Sequence, residues 1–143
     1  MDEAVRYSRV NVGDVLPPLV MPPVSRLTLA LYCGASGDHN PLHVDQDFAR
    51  EAGLGDVIAH GMLIMAYMGR TLTNWVPQEA IQTFGTRFQA MTRVGDAITC
   101  TARITEKLAD TLPDAHAVRV TVEARDQRGE LKAAGDALIA LPV

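Results

Sequence analysis

The segment Ser36-Gly37-Asp38-His39-Asn40-Pro41-Leu42-His43 gathers a carboxylate, two imidazoles and an amide within eight residues, and His60-Gly61 follows His43 by seventeen positions at the head of an apolar run. Pro41 has no N–H and biases Asn40 toward extended geometry, so the segment is expected to bend as a loop rather than continue as helix. A bent loop turns Asp38 and His43, five positions apart, onto one small volume. Gly61 lacks a Cβ and would open the first free N–H groups of the following helix to a ligand carbonyl, where helix-end polarity favours negative charge. A carboxylate, an imidazole and a backbone N–H can move protons at an oxygen and at a carbon while charge builds on a carbonyl oxygen. Adding water to a conjugated acyl thioester, or removing it from the hydroxyacyl form, makes those three demands.

Caps and periodicity define the elements that carry these groups. Ser25 is placed to cap a helix from Arg26 to about Gly34, with Leu27, Ala30 and Leu31 on one face. The chemical segment then leaves directly from that helix. Asp45 caps a second short helix, Gln46 to Ala52, which Gly53 ends. Gly61 to Trp75 reads as a longer helix whose start, Met62 to Met68, is apolar on every face, the pattern of a buried helix. After it the period changes to two: Ile98, Cys100, Ala102 and Ile104 alternate with polar residues, as do Val118, Val120, Val122 and Ala124. Both runs predict half-buried strands. Gln82 to Phe88 predicts a strand before a Gly95-Asp96 turn, and Asp126 to Gly129 a turn into a last strand over Leu131 to Leu141. Pro17-Pro18 and Pro22-Pro23 mark an extended, edge-like lead-in. One buried helix followed by antiparallel strands demands an α+β arrangement with the sheet wrapped around that helix.

At 143 residues the chain reads as one domain over 1–143, with a substantial core. A net charge of −4 and scattered Lys and Arg exclude a nucleic-acid footprint. The start Met1-Asp2-Glu3-Ala4 lacks a signal-peptide pattern and Met62 to Met68 is too short to span a bilayer, so the expectation is a cytoplasmic protein without a membrane segment. Cys33 and Cys100 lie in no metal-like or redox-like spacing and are expected to be small buried side chains.

Each chemical candidate also has a plainer reading. Asp38 suits a turn, and His43 suits a core beside Leu42 and Val44; their company, rather than either alone, points to catalysis. Ser36 and Asn40 are read as ordering the loop or touching substrate. His60 is read either as a polar helix-start residue or as pocket lining, and Gly61 as either oxyanion site or tight-packing residue. His39 and His43 are four apart with Asp38 and Asp45 nearby, but Pro41 denies the helical frame for an i, i+4 ligand pair, so no metal is expected. Arg70, Arg87 and Arg93 read as surface charge. With neither a phosphate-cradling Gly-rich loop nor a ligand cluster, no nicotinamide, flavin or other cofactor is expected.

The run Tyr32-Cys33-Gly34-Ala35-Ser36-Gly37-Asp38-His39-Asn40-Pro41-Leu42-His43 resembles the hydratase motif of the MaoC-like family, the hotdog-fold hydratases and dehydratases of (3R)-hydroxyacyl thioesters. The resemblance continues through Phe48-Ala49, Ile58 to Met62, Trp75, Arg87-Phe88 and Val94-Gly95-Asp96, and is greatest to small single-hotdog catalytic dehydratase subunits. It implies a single hotdog fold and reversible hydration of trans-2-enoyl thioesters carried on CoA or ACP. Asp38 and His43 are then the acid/base pair, with their division of labour open, and the Gly61 N–H is the oxyanion donor. A homodimer, or a heterodimer with a related hotdog subunit, is implied. Gly69 departs from the small hydroxyl residue that many relatives carry at that place. Three alternatives stand beside this reading: a catalytic subunit acting on long-chain or steroid-derived acyl thioesters within a heterodimer, a hotdog acyl thioesterase, and a non-catalytic stabilising subunit.

Overall fold

The computed structural model describes residues 4–112 and 115–143; the acidic start at Met1 to Glu3 lies outside them. Five strands form one antiparallel sheet: β1 (Leu19–Val20), β2 (Ile81–Phe88), β3 (Thr99–Leu112), β4 (Ala115–Arg125) and β5 (Leu131–Pro142). Their order across the sheet is β1-β3-β4-β5-β2. The alternation that predicts β3 and β4 is the alternation of burial. Cys100, Ala102 and Ile104 on β3 and Val118, Val120, Val122 and Ala124 on β4 are all buried, and the residues between them are more exposed.

Among the described residues three α-helices accompany the sheet: α1 (Arg26–Ser36), α2 (Gln46–Glu51) and α3 (Gly61–Thr73). Leu63, Ile64, Tyr67, Met68, Thr71 and Leu72 form the buried stripe of α3, at the spacing of one helix face. Met68 and Leu72 are fully buried, and each such side chain contributes about 1.5–3 kcal/mol. This is the hotdog arrangement, a curled sheet around one helix. The expectation that α3 is buried on every face needs correction, since Met62 is 54% exposed and Ala66 is also exposed. A single sheet covers one side of a helix. The apolar residues on the other side remain available.

The expected face of α1 is also corrected. Leu27 and Leu31 are 67% and 66% exposed, and the helix instead buries Leu29 and Cys33. The capping expectations hold: Ser25 Oγ accepts from the Thr28 N–H and Asp45 Oδ1 from the Phe48 N–H. The proline-flanked lead-in holds too, as a two-residue edge strand pairing Leu19 with Cys100 and Val20 with Thr99. Helix α3 stops at Thr73 rather than Trp75, with Asn74 as its cap. Both cysteines are buried, and burial pushes the Cys100 thiol up to about 11.

Strand β2 is the outer strand on its side, held only by β5, through pairs such as Thr86 with Gly135 and Gly85 with Asp136. There the two backbones come so close that a Cβ on Gly135 would run into the Gly85 carbonyl, 2.9 Å from its carbon and from Thr86 Cα. Gly135→Ala should therefore push β2 off β5. We expect a loss of about 1–3 kcal/mol in chemical denaturation; a wild-type midpoint would show that the strands can separate without cost.

Candidate active site

Local bonds build the carboxylate half of the site. Helix α1 runs to Ser36 rather than stopping near Gly34, and Gly37, at φ +74°, closes it with its N–H on the Cys33 carbonyl. Three side chains then each accept the backbone N–H two residues on: Ser36 Oγ from Asp38 at 3.1 Å, Asp38 Oδ1 from Asn40 at 3.2 Å, and Asn40 Oδ1 from Leu42 at 3.1 Å. Such turns fix a loop without distant partners. Ser36 and Asn40 thus order the loop. In Asp38 one oxygen holds the turn of its plainer reading while the other turns to His43.

The imidazole half depends on a more distant group. His43 Nδ1 lies 2.7 Å from the Ile58 carbonyl oxygen. A carbonyl only accepts, so the neutral ring carries its proton on Nδ1 and presents a lone pair at Nε2. Nε2 stands 3.7 Å from Asp38 Oδ2, with the His43 side chain 11% exposed and that of Asp38 50% exposed. The separation exceeds a hydrogen bond, and a hydroxyl or water oxygen can bridge it.

His60, the N-cap of α3, lies beneath this pair and is almost wholly buried. Its Nε2–H donates to the Asp38 carbonyl at 3.2 Å and lies 3.4 Å from Cys33 Sγ. Its ring stacks on His43 with centroids 3.7 Å apart and meets the edge of Tyr32. Burial pushes the His60 imidazole below its ordinary pKa, against the smaller upward pull of the Asp38 carbonyl. His60 therefore takes the helix-start place of its first reading, and its bond to the Asp38 carbonyl helps order the loop that carries Asp38.

Asp38, His43 and His60 bring ligand-type atoms within 4.8 Å of one another, whereas His39 is exposed and Asp45 is committed to capping α2. The three do not suit a metal ion. Nitrogen lone pairs lie in the ring planes, and rings stacked 3.7 Å apart at 23° cannot both aim at one ion at about 2.0–2.1 Å.

Gly61 is the first residue of α3, whose N–H lies outside the intrahelical ladder, and it finds no partner among the described residues. It borders a cavity of about 350 Å³ whose wall includes His43, Ile58, Ile64, Phe88, Thr92 and Lys132. A Cβ at position 61 would lie 3.1 Å from the Phe88 ring. Gly61 is thus also the tight-packing residue of its other reading. Arg26 grips both carboxylate oxygens of Asp56, at 2.8 and 2.6 Å, which ties the start of α1 to the loop before Ile58.

Sequence reasoning does not single out the Ile58 carbonyl, Thr92 or Lys132. The first is a backbone atom, which leaves no signature in residue type, and the last is a charged residue turned inward by an irregularity of β5.

The state of His60 yields a pH dependence. Its folded pKa is lowered, so the unfolded chain takes up the proton first and stability is lost as pH falls below about 6.5. His60→Gln, which can still donate to the Asp38 carbonyl, should flatten that loss in melting curves across the acid range. Parallel curves would deny His60 the role.

Comparison with known proteins identifies the family. The family model described as a MaoC like domain matches residues 15–127. The (R)-specific enoyl-CoA hydratase of Aeromonas caviae is 30% identical over 116 residues, which cover 80% of this chain and 84% of that enzyme. The enzyme of the same name from Rhodospirillum rubrum is 32% identical over 84 residues, 57% of this chain, and the chain spans only 58% of its length. The unliganded R-hydratase PhaJ1 of Pseudomonas aeruginosa superposes with a TM-score of 0.83 at 26% identity, covering 97% of this chain and 86% of that one. With the family model covering most of the chain and the sheet wrapped around α3 as in that hydratase, this chain belongs to the MaoC-like family.

Proposed function

We propose that the protein hydrates trans-2-enoyl thioesters reversibly to (3R)-hydroxyacyl thioesters, using Asp38 and His43 as acid and base. The observation that carries this reading is the facing of Asp38 Oδ2 and His43 Nε2 across 3.7 Å, beside the unpartnered Gly61 N–H. The thioester oxygen accepts from Gly61, where the start of α3 favours the negative charge that builds as C3 is attacked. Water sits between the carboxylate and the imidazole. The pair takes a proton from the water as the C3–O bond forms and passes that proton to C2, so both groups end as they began; dehydration retraces the path. Because Nδ1–H is held by Ile58, Nε2 is the nitrogen that exchanges protons with the reactants. None of these steps calls on a metal or a redox cofactor.

The stereochemistry and the CoA carrier follow the names of the relatives from Aeromonas caviae and Rhodospirillum rubrum. A dehydratase working on ACP-bound chains in fatty-acid synthesis uses the same residues. A hotdog thioesterase needs one carboxylate to activate water and gives the fixed imidazole no task.

The site works in a dimer of hotdog subunits, with a second copy as the simplest partner. Strand β2 ends the sheet with a free edge, and Met62, Phe88 and Met91 expose 54%, 51% and 49% of their surface beside the Gly61 cavity. A partner laid there would cover them and close the cavity.

Two measurements test this reading. Crotonyl-CoA and a longer trans-2-enoyl-CoA should lose their conjugated absorbance on adding the protein and yield the (3R)-hydroxy product. Asp38→Asn and His43→Ala should each lower turnover by roughly 10²-fold or more while leaving the fold intact; free thiol release, or near-normal turnover in either variant, would sink the assignment. Light scattering after gel filtration should give twice the 15.5 kDa chain mass, and an active monomer would refute the dimeric site.

A further inference from the structure

Lys132 is 2% exposed, an uncommon fate for lysine, which is buried only when its charge is compensated. It occupies the irregularity in the β4–β5 pairing, where Ala124 pairs with Ala133 and Arg125 with Leu131, so Lys132 is skipped and turns inward. Its Nζ donates to the Met91 carbonyl at 2.9 Å, pairs with Glu130, and lies 3.4 Å from Asp96 Oδ2 and 3.6 Å from Asp126 Oδ2. Asp96 and Asp126 are themselves buried. Buried ion pairs are weak evidence for stability, since well-packed apolar replacements often serve as well. What the cluster touches suggests another use.

Lys132 holds Met91, and Asp96 Oδ2 accepts the Arg93 N–H at 2.9 Å, so the charges fasten both ends of a three-residue step. The middle of that step reaches the site. The Thr92 carbonyl accepts the Ala59 N–H at 2.8 Å, and Arg93 forms an antiparallel bridge with Ile58. The Ile58 carbonyl in turn holds His43 Nδ1. We propose that Lys132, with Asp96 and Asp126, is a positioning residue for His43: through Met91 to Arg93 it fixes the Ile58 carbonyl, and so the tautomer and direction of the imidazole. The inference rests on the reading of His43 as an acid/base residue. Lys132 also lines the His43 cavity, but its ammonium is already taken up by a carbonyl and carboxylates, so it acts through the backbone rather than on substrate.

The test is nitrogen NMR of histidine-labelled protein in the neutral pH range, with His43→Asn to assign its signals. The wild type should show His43 protonated at Nδ1 and bare at Nε2. In Lys132→Met the His43 signals should move toward a mixture of tautomers, while His60, which is held by Asp38 and Cys33, should not change. Turnover on crotonyl-CoA should fall about tenfold with KM within about twofold, the mark of a misdirected group rather than lost binding. Asp126→Asn, which keeps the shape and removes one charge, gives the same readout if Lys132→Met does not fold. An unchanged His43 tautomer in a folded variant overturns the proposal, as does wild-type turnover. A tautomer shift in a protein whose wild type ignores enoyl-CoA would support the positioning role and reject the hydration reading instead.

Discussion

The apolar stripe of α3 against the concave face of the sheet is the contact that governs the other features. Leu63, Ile64, Tyr67, Met68 and Leu72 have nowhere else to go, and the inward residues of β3, β4 and β5 have no other cover. Packing them together sets the position of the helix start to within a side chain's width. The N–H of Gly61 and the ring of His60 are then placed by a core that begins within the same turn, at Leu63 and Ile64. The proposed chemistry lies at the start of that helix, where a packed core and an unsatisfied N–H meet.

Around that fixed end the protein builds two halves by different means. The carboxylate half is local, made by Ser36, Asp38 and Asn40 bonding their own backbone. The imidazole half is long-range, since His43 takes its orientation from Ile58, which takes its own from Thr92 and Arg93. His60 joins them, bonding the Asp38 carbonyl with one edge and stacking on His43 with its face.

Much of this was legible in the chain. Alternation at Cys100, Ala102 and Ile104 and at Val118, Val120 and Val122 marks strands because burial in a one-sided sheet has a period of two. Ser25 and Asp45 announce helix starts because their oxygens satisfy free N–H groups. The Asp38 to His43 segment is readable because Pro41 forbids a helix through it. The outward face of α1 was not legible, since Leu27 and Leu31 look like core residues until the surface they belong to is known. The one-sided burial of α3 was hidden for the same reason: Met62 is as apolar as Met68, yet the sheet covers only one side of the helix. The His43–Ile58 bond escapes because a carbonyl is present at every residue, and Lys132 because strand irregularities have no fixed residue signature.

The turns at Ser36, Asp38 and Asn40 bear on how the site can change. The carboxylate rests mainly on bonds that span two residues, with one longer tie from His60 to the Asp38 carbonyl, and so depends little on the length of the chain between α2 and α3. Insertions after α2, or a different second helix, would leave it intact. The imidazole has no such independence, being tied to residues fifteen and more positions away. Gentle loosening of the fold therefore frees the imidazole before it disturbs the turns that carry the carboxylate.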